Sequence, residues 1–149
     1  MNEFNGKVYS DFIGTVFDLF IYNDTGMPEF KLDKQADMSI ARDNKHGRNR
    51  IMVRSTALNI NVLNEILLGN FDNKKFTIVG LSNIIDTIEQ NNFHALGFEI
   101  LNAKITNYDY RMVGGLNSSV NIVFEFEDLD EFGMNNFKLK LDGEDISNV

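Results

Sequence analysis

Residues 119–128 read Ser-Val-Asn-Ile-Val-Phe-Glu-Phe-Glu-Asp. Val120, Ile122, Phe124 and Phe126 fall on one side of an extended chain, and Asn121, Glu125 and Glu127 on the other. Successive side chains of a strand point to opposite faces. The alternation therefore predicts a β-strand with one face in a core and the other in solvent. Downstream, Phe137, Leu139 and Leu141 alternate with Lys138 and Lys140, which predicts a final strand. Upstream, Val113–Gly114–Gly115–Leu116–Asn117 predicts a turn whose glycines can adopt positive φ. Residues 98–112 before it read as extended, with a switch of apolar face near Ala103 that predicts a bulge or bend.

The rest of the chain supplies more strands than helices. Residues 12–22 (FIGTVFDLFIY) are aromatic and β-branched and predict a strand covered on both faces. The single proline, Pro28, ends a turn begun at Asp24, and residues 29–41 are a weaker extended stretch. Ile51, Val53 and Ser55 alternate with Met52, Arg54 and Thr56, and residues 74–79 (KKFTIV) form a further strand ending at Gly80. Leu81, Ile84, Ile85 and Ile88 are spaced i, i+3, i+4, i+7, which predicts a short amphipathic helix ending near Asn91. His94 then sits just past its end. In 58–69, Val62, Leu63, Ile66 and Leu67 favour a helix over an extended run, with Asn61 as N-cap and Gly69 at C′. Many strands with one or two short helices predict a mainly β chain. Its architecture is an antiparallel barrel or sandwich with a flanking helix, as a single domain over 1–149.

Composition narrows the function. The chain of 149 residues has no cysteine, which removes thiolate nucleophiles, disulfides and Cys-ligated metal sites together. No apolar run approaches the roughly 18–20 residues that span a bilayer, so no membrane partner is expected. His46 and His94 are the only histidines, and no HExxH or EF-hand spacing accompanies them. The acidic run Glu125, Glu127, Asp128, Asp130, Glu131 reads as a solvated strand face and turn rather than a hydrolase pair, and Gly114–Gly115 lacks the lysine of a phosphate loop. We expect no enzyme, no catalytic residue, no metal and no cofactor.

Net charge is −8, yet Arg42, Lys45, Arg48, Arg50 and Arg54 crowd into one short segment, five of fourteen basic side chains. Residues 42–49 (RDNKHGRN) read as an exposed loop. Without interleaved aromatics the segment is a poor nucleic-acid patch. In an acidic molecule it suits a contact with an acidic surface on an identical neighbour, where complementary charge fixes orientation.

Two segments resemble the tail tube proteins of contractile-tailed bacteriophages. In the first, Ser55–Thr56–Ala57–Leu58, Val62, Ile66 and Gly69 lead into Lys74–Lys75–Phe76–Thr77–Ile78–Val79–Gly80; Asn59 stands where that family usually has proline. The second comprises 98–106 and 117–128. The resemblance implies a virion protein forming stacked hexameric rings around a channel through which DNA passes without specific binding. It also implies tail sheath and baseplate proteins as partners. On that reading the five basic residues lie at a subunit interface, and Asn121, Glu125 and Glu127 face a lumen or solvent. A tube-initiating or tail-completion protein fits the same segments. The competing class is a small monomeric binding module that uses 42–54 on an acidic partner.

Overall fold

A computed structural model describes residues 2–4, 7–9, 12–32, 37–43, 45–55, 60–86, 93–111 and 119–145. The Gly114–Gly115 turn and Ile88 lie outside them. The chain is mainly β. The longest strands are β3 (Phe12–Asn23), β7 (Phe76–Asp86) and β8 (Phe93–Arg111). Around them lie β4 (Pro28–Leu32), β5 (Asp37–Asp43), β6 (Arg48–Ser55), β9 (Ser119–Glu127), β10 (Phe137–Leu141) and the short β11 (Glu144–Asp145). One antiparallel sheet contains them in the order β4-β3-β7-β8-β9-β6-β5, with β10 beside β8 and β11 beside β10. A separate hairpin of β1 (Asn2–Phe4) and β2 (Lys7–Tyr9) has no ladder to that sheet among the described residues.

Strand β8 lets one sheet make two layers. Its first half pairs with β7 and β10, and its second half with β9. Between the halves, Phe76 pairs with Ala103 but Ile78 with Ile100, so β8 carries an extra residue at the Leu101–Asn102 bulge. Asn102 takes φ 59° there, a left-handed value that asparagine tolerates better than most residues. A bulge bends its strand and increases local twist. The sheet folds over at this point, as the face switch at Ala103 predicted, and Ala103 itself is fully buried. The two layers close on one core: Leu19, Ile21, Phe30 and Leu32 from β3 and β4, Ile78 from β7, Ile51 and Val53 from β6, and Ile122 and Phe124 from β9. The four apolar positions that opened the sequence reading, Val120, Ile122, Phe124 and Phe126, are all buried.

The sheet does not close into a barrel. Its two ends are β4 and β5, each paired on one side only among the described residues. These strands are consecutive in sequence, and the five Cα steps from Leu32 to Asp37 can reach about 18 Å at most. They leave a seam that the chain ties at its Leu32–Asp37 end and that no ladder spans among the described residues. Phe30, Leu32 and Met38 pack into the shared core on either side of it.

Helix α1 (Ile60–Leu67) covers the core with Ile66, and Val62 and Leu63 pack partly against it. Gly69 stops it at φ 75°, where the Asn70 N–H donates to the Glu65 carbonyl and the Gly69 N–H to that of Ile66, a Schellman end. The predicted Gly69 stop holds, but the helix starts at Ile60, so Asn61 lies inside it rather than at the N-cap. Phe71, just beyond, stacks on Phe30 with ring centroids 5.9 Å apart.

The second helix expected from Leu81, Ile84 and Ile85 is replaced by strand. All three belong to β7, which runs on past Gly80 to Asp86, paired with β3 on one side and β8 on the other. Ladders on both edges offer the β7 backbone partners along most of its length, and β-branched Ile84 and Ile85 suit an extended chain. His94 accordingly sits within β8, opposite Ile84, and not at a helix end.

Gly80 meets the Phe98 ring directly: a Cβ there would lie 2.2 Å from the ring edge. Phe98 is held in turn by a stack on Phe137, centroids 6.1 Å apart. Gly80→Ala should displace that ring and cost roughly 1–3 kcal/mol by overpacking. An unchanged melting temperature would mean that the ring leaves its stack at no cost.

Candidate assembly surface

The five basic residues do not share a loop. Strands β5 and β6 form a regular hairpin in full register from Asp37↔Arg54 to Asp43↔Arg48, so the polar stretch 42–49 includes strand at both ends, around the turn at 45–47. It read as loop because the outward positions of both strands are polar and the turn glycine, Gly47, lies between them. Only Lys45 is in the turn. Asn49, Ile51, Val53 and Ser55 face inward and are buried; Arg48, Arg50, Met52 and Arg54 face outward and are exposed. Arg42 lies near the end of β5, where its guanidinium donates to Asp128 Oδ2 at 3.0 Å.

The turn is locally determined. The Lys45 N–H donates to Asp43 Oδ1 at 3.0 Å, and His46 Nδ1 lies 2.9 Å from Asp43 Oδ2. The His46 hydrogen bond holds the Asp43 carboxyl below the ordinary carboxylate range, helped by backbone N–H groups of Lys45 and His46 and by the Arg48 charge. Gly47 takes φ 64° and accepts from the Asp128 N–H at 3.0 Å, which ties the turn to the end of β9. His46 therefore has a structural partner and no nucleophile beside it.

Asn121, Glu125 and Glu127 lie on the outer face of β9, opposite the core. Register sets Arg54 against Asn121, Arg50 against Glu125 and Arg48 against Glu127, with Lys104 of β8 on the other side of Glu125. Arg50 Nε and Glu125 Oε1 are 3.3 Å apart on the surface. An exposed pair of that kind contributes about 0–1 kcal/mol. Its larger effect is to spend part of the acidic and basic charge within one chain. Among the described residues Lys45, Arg48 and Arg54 have no salt-bridge partner. Ala41, Arg42, His46, Arg48 and Arg50, with the acidic Asp43 and Glu125, border a groove of ≈ 480 Å³ on this side of the hairpin.

Beside the outer face of β9 stands a feature that the sequence reading did not single out. Residues 129–135 form a small knob closed by a Leu129↔Asn135 bridge. Asp130 Oδ1 accepts from the N–H groups of Phe132 (2.8 Å) and Met134 (2.9 Å), and Gly133 takes φ 77°. Asn136 anchors the base. Its Nδ2 donates to the Glu127 carbonyl at 2.9 Å, its Oδ1 accepts from Asn102 Nδ2 at 2.8 Å, and its backbone bonds to Asp128 and Leu101. Asn49 Nδ2 adds a 2.8 Å bond to Asp128 Oδ1. The knob is thus fastened to β6, β8 and β9, yet its apolar side chains point out: Phe132 is 81% exposed and Met134 61%. A Phe-Gly-Met sequence beside acidic residues was the available signal, and only its exposure makes it informative.

Among the described residues no group of three His, Asp or Glu side chains could hold a metal ion. No helix of these residues is long and apolar enough to cross a membrane. What the surface offers is docking chemistry: arginines on one strand face, a rigid apolar knob, and unpaired strand edges.

No family model matches the sequence, and no curated protein matches it. Among solved structures, the chain is similar to a variant of the Hcp1 protein from the E. coli EAEC 042 pathovar. The TM-score is 0.44 at 10% sequence identity, over 86% of this chain and 99% of that one.

Proposed function

We propose that the protein is a non-enzymatic structural subunit that assembles with copies of itself into stacked rings, building a tube of the kind found in contractile phage tails. The observation that carries this reading is the seam. Strands β4 and β5 leave their outer backbone groups unpaired among the described residues, and an open edge is a template for pairing with another chain. Exposed Ile40 on β5 and exposed Leu67 and Leu68 at the end of α1 add apolar surface suited to burial between subunits. Both segments that resemble tail tube proteins run through strands of this sheet. Net charge −8 suits a channel that DNA traverses, since acidic groups repel phosphates and prevent sticking. Hexameric rings, contacts with sheath and baseplate proteins, and residence in the virion belong to the same proposal.

Light scattering and negative-stain microscopy of the purified protein test it, with rings or tubes as the expected result. A monodisperse monomer at all concentrations would overturn it and favour a binding module that uses Arg42–Arg54 on an acidic partner. Arg48 and Arg50 are exposed, so changing both to Glu should leave the circular dichroism spectrum intact. The same change should shorten or abolish assemblies by setting like charges against an acidic neighbour. Added salt should weaken wild-type assembly in the same direction. Normal polymerisation of the double variant would remove these arginines from the interface.

A further inference from the structure

The knob at 129–135 has a construction that its own chain does not explain. Its backbone is fixed by the Asp130 cap, the Leu129↔Asn135 bridge and the Asn136 anchor. Ordering a loop costs conformational entropy, and burial of the loop's apolar side chains ordinarily offsets that cost. Here Phe132, Met134 and Leu129 remain 81%, 61% and 50% exposed, so the apolar return is missing from the isolated chain. A rigid loop that holds an aromatic side chain in water is preorganised for docking: the ordering cost has been met before the partner arrives. Aromatic anchors of this kind dominate interface energetics.

The occupant can be read from charge. Beside the apolar tip, Asp130 and exposed Glu131 make the knob acidic, and so it calls for a basic surface with an apolar floor. In this net-acidic molecule five basic side chains gather on the β5–β6 hairpin, and three of them, Arg42, Arg48 and Arg50, meet at the groove, where they outnumber its two acids, Asp43 and Glu125. Arg48 has no salt-bridge partner among the described residues, and exposed Met52 adds apolar surface between the outward arginines of β6. We infer that the knob of one copy docks into the β5–β6 groove of the next, with Phe132 over Ala41 and Glu131 against Arg48. Phe132 lines the hollow beside the knob and Ala41 the groove, while Arg48 and Glu125 border both, so the two halves of the contact adjoin on one face and each copy offers both. The inference rests on the self-assembly reading and specifies one of its interfaces.

Because the natural chain has no cysteine, single introduced thiols report the contact without background. One population carries Phe132→Cys and the other Ala41→Cys, and the two are mixed and oxidised gently. A crosslinked heterodimer is expected in the mixture. A Thr25→Cys partner, on the exposed turn after β3, should give none. Phe132→Ser should keep the fold, since the side chain is almost wholly in water, and should weaken assembly roughly 10-fold or more as loss of an anchor. Glu131→Arg should weaken it too, and adding Arg48→Glu to the same chain should restore it. The docking is overturned if wild-type protein assembles while the 132–41 crosslink fails to form, or if Phe132→Ser assembles with wild-type affinity. Wild-type protein that never leaves the monomeric state overturns the self-assembly reading itself, and the docking with it.

Discussion

Replacing Phe124 by Ala should remove about 3–5 kcal/mol of folding stability, the usual range for a large buried aromatic. Phe124 is completely buried and meets Phe76 edge-on, with ring centroids 6.3 Å apart. Phe76 makes a similar contact with Phe71 at 5.5 Å, and Phe71 stacks on Phe30. Truncation at Phe124 therefore removes one end of an aromatic chain that runs through β9, β7, the segment after α1, and β4. The cavity has little chance of collapsing. β9 is hydrogen-bonded to β6 on one side and β8 on the other, so its backbone cannot move inward without breaking a ladder. That places the expected cost toward the upper end of the range. Urea unfolding should show a lower midpoint with an unchanged slope, and Phe124→Leu should cost visibly less. A near-wild-type midpoint for the alanine variant would mean that the alternation of residues 119–128 does not define the core.

Asn136→Ala should cost about 1–3 kcal/mol, which is large for a polar residue. The change removes the bonds to the Glu127 carbonyl and from Asn102 Nδ2 beneath the knob, both partly buried, and a lost bond of that kind costs about 0.5–1.5 kcal/mol. Asn136 is only 2% exposed, so entry of water to replace both bonds requires the local structure to open. Backbone amide exchange gives the more specific reading. Protection should fall at Leu101, Phe132 and Met134, while amides of β3 and β7 keep their wild-type rates after correction for global stability. Uniform loss of protection across the sheet would show that Asn136 supports the whole fold, not the knob and bulge.

The parts of this fold that could be read from sequence are those set by near neighbours in the chain. The period-2 pattern of Val120 to Phe126 requires no knowledge of its partners, because alternation alone assigns the faces. Helix α1 with its Gly69 stop is local in the same sense, as is the bulge at Ala103. Reading failed where distant strands decided the outcome. Leu81, Ile84 and Ile85 fit a helical stripe by spacing, but β3 and β8 bracket that segment and impose a strand. Residues 42–49 read as a loop because the strand ends flanking Gly47 are polar on their outer face, although Asn49 continues the inner face that Ile51 and Val53 mark. Asn136 gave no signal at all: its significance depends on Asn102, 34 residues away and in a left-handed conformation. For the candidate surface, composition located the arginines, but their pairing with Glu125 and Asp128 and the exposure of Phe132 follow only from register and tertiary packing.

The seam between β4 and β5 gives the molecule the mechanics of a split washer. Everywhere else around the cross-section, neighbouring strands are joined by backbone ladders, which resist separation stiffly. Between β4 and β5 the chain itself makes one tie, from Leu32 to Asp37, and among the described residues Phe30, Leu32 and Met38 meet the common core through dispersion contacts, which soften smoothly with distance. Compliance is therefore concentrated along one line. Squeezing or bending the protein should shift β4 against β5 before it breaks a single ladder bond.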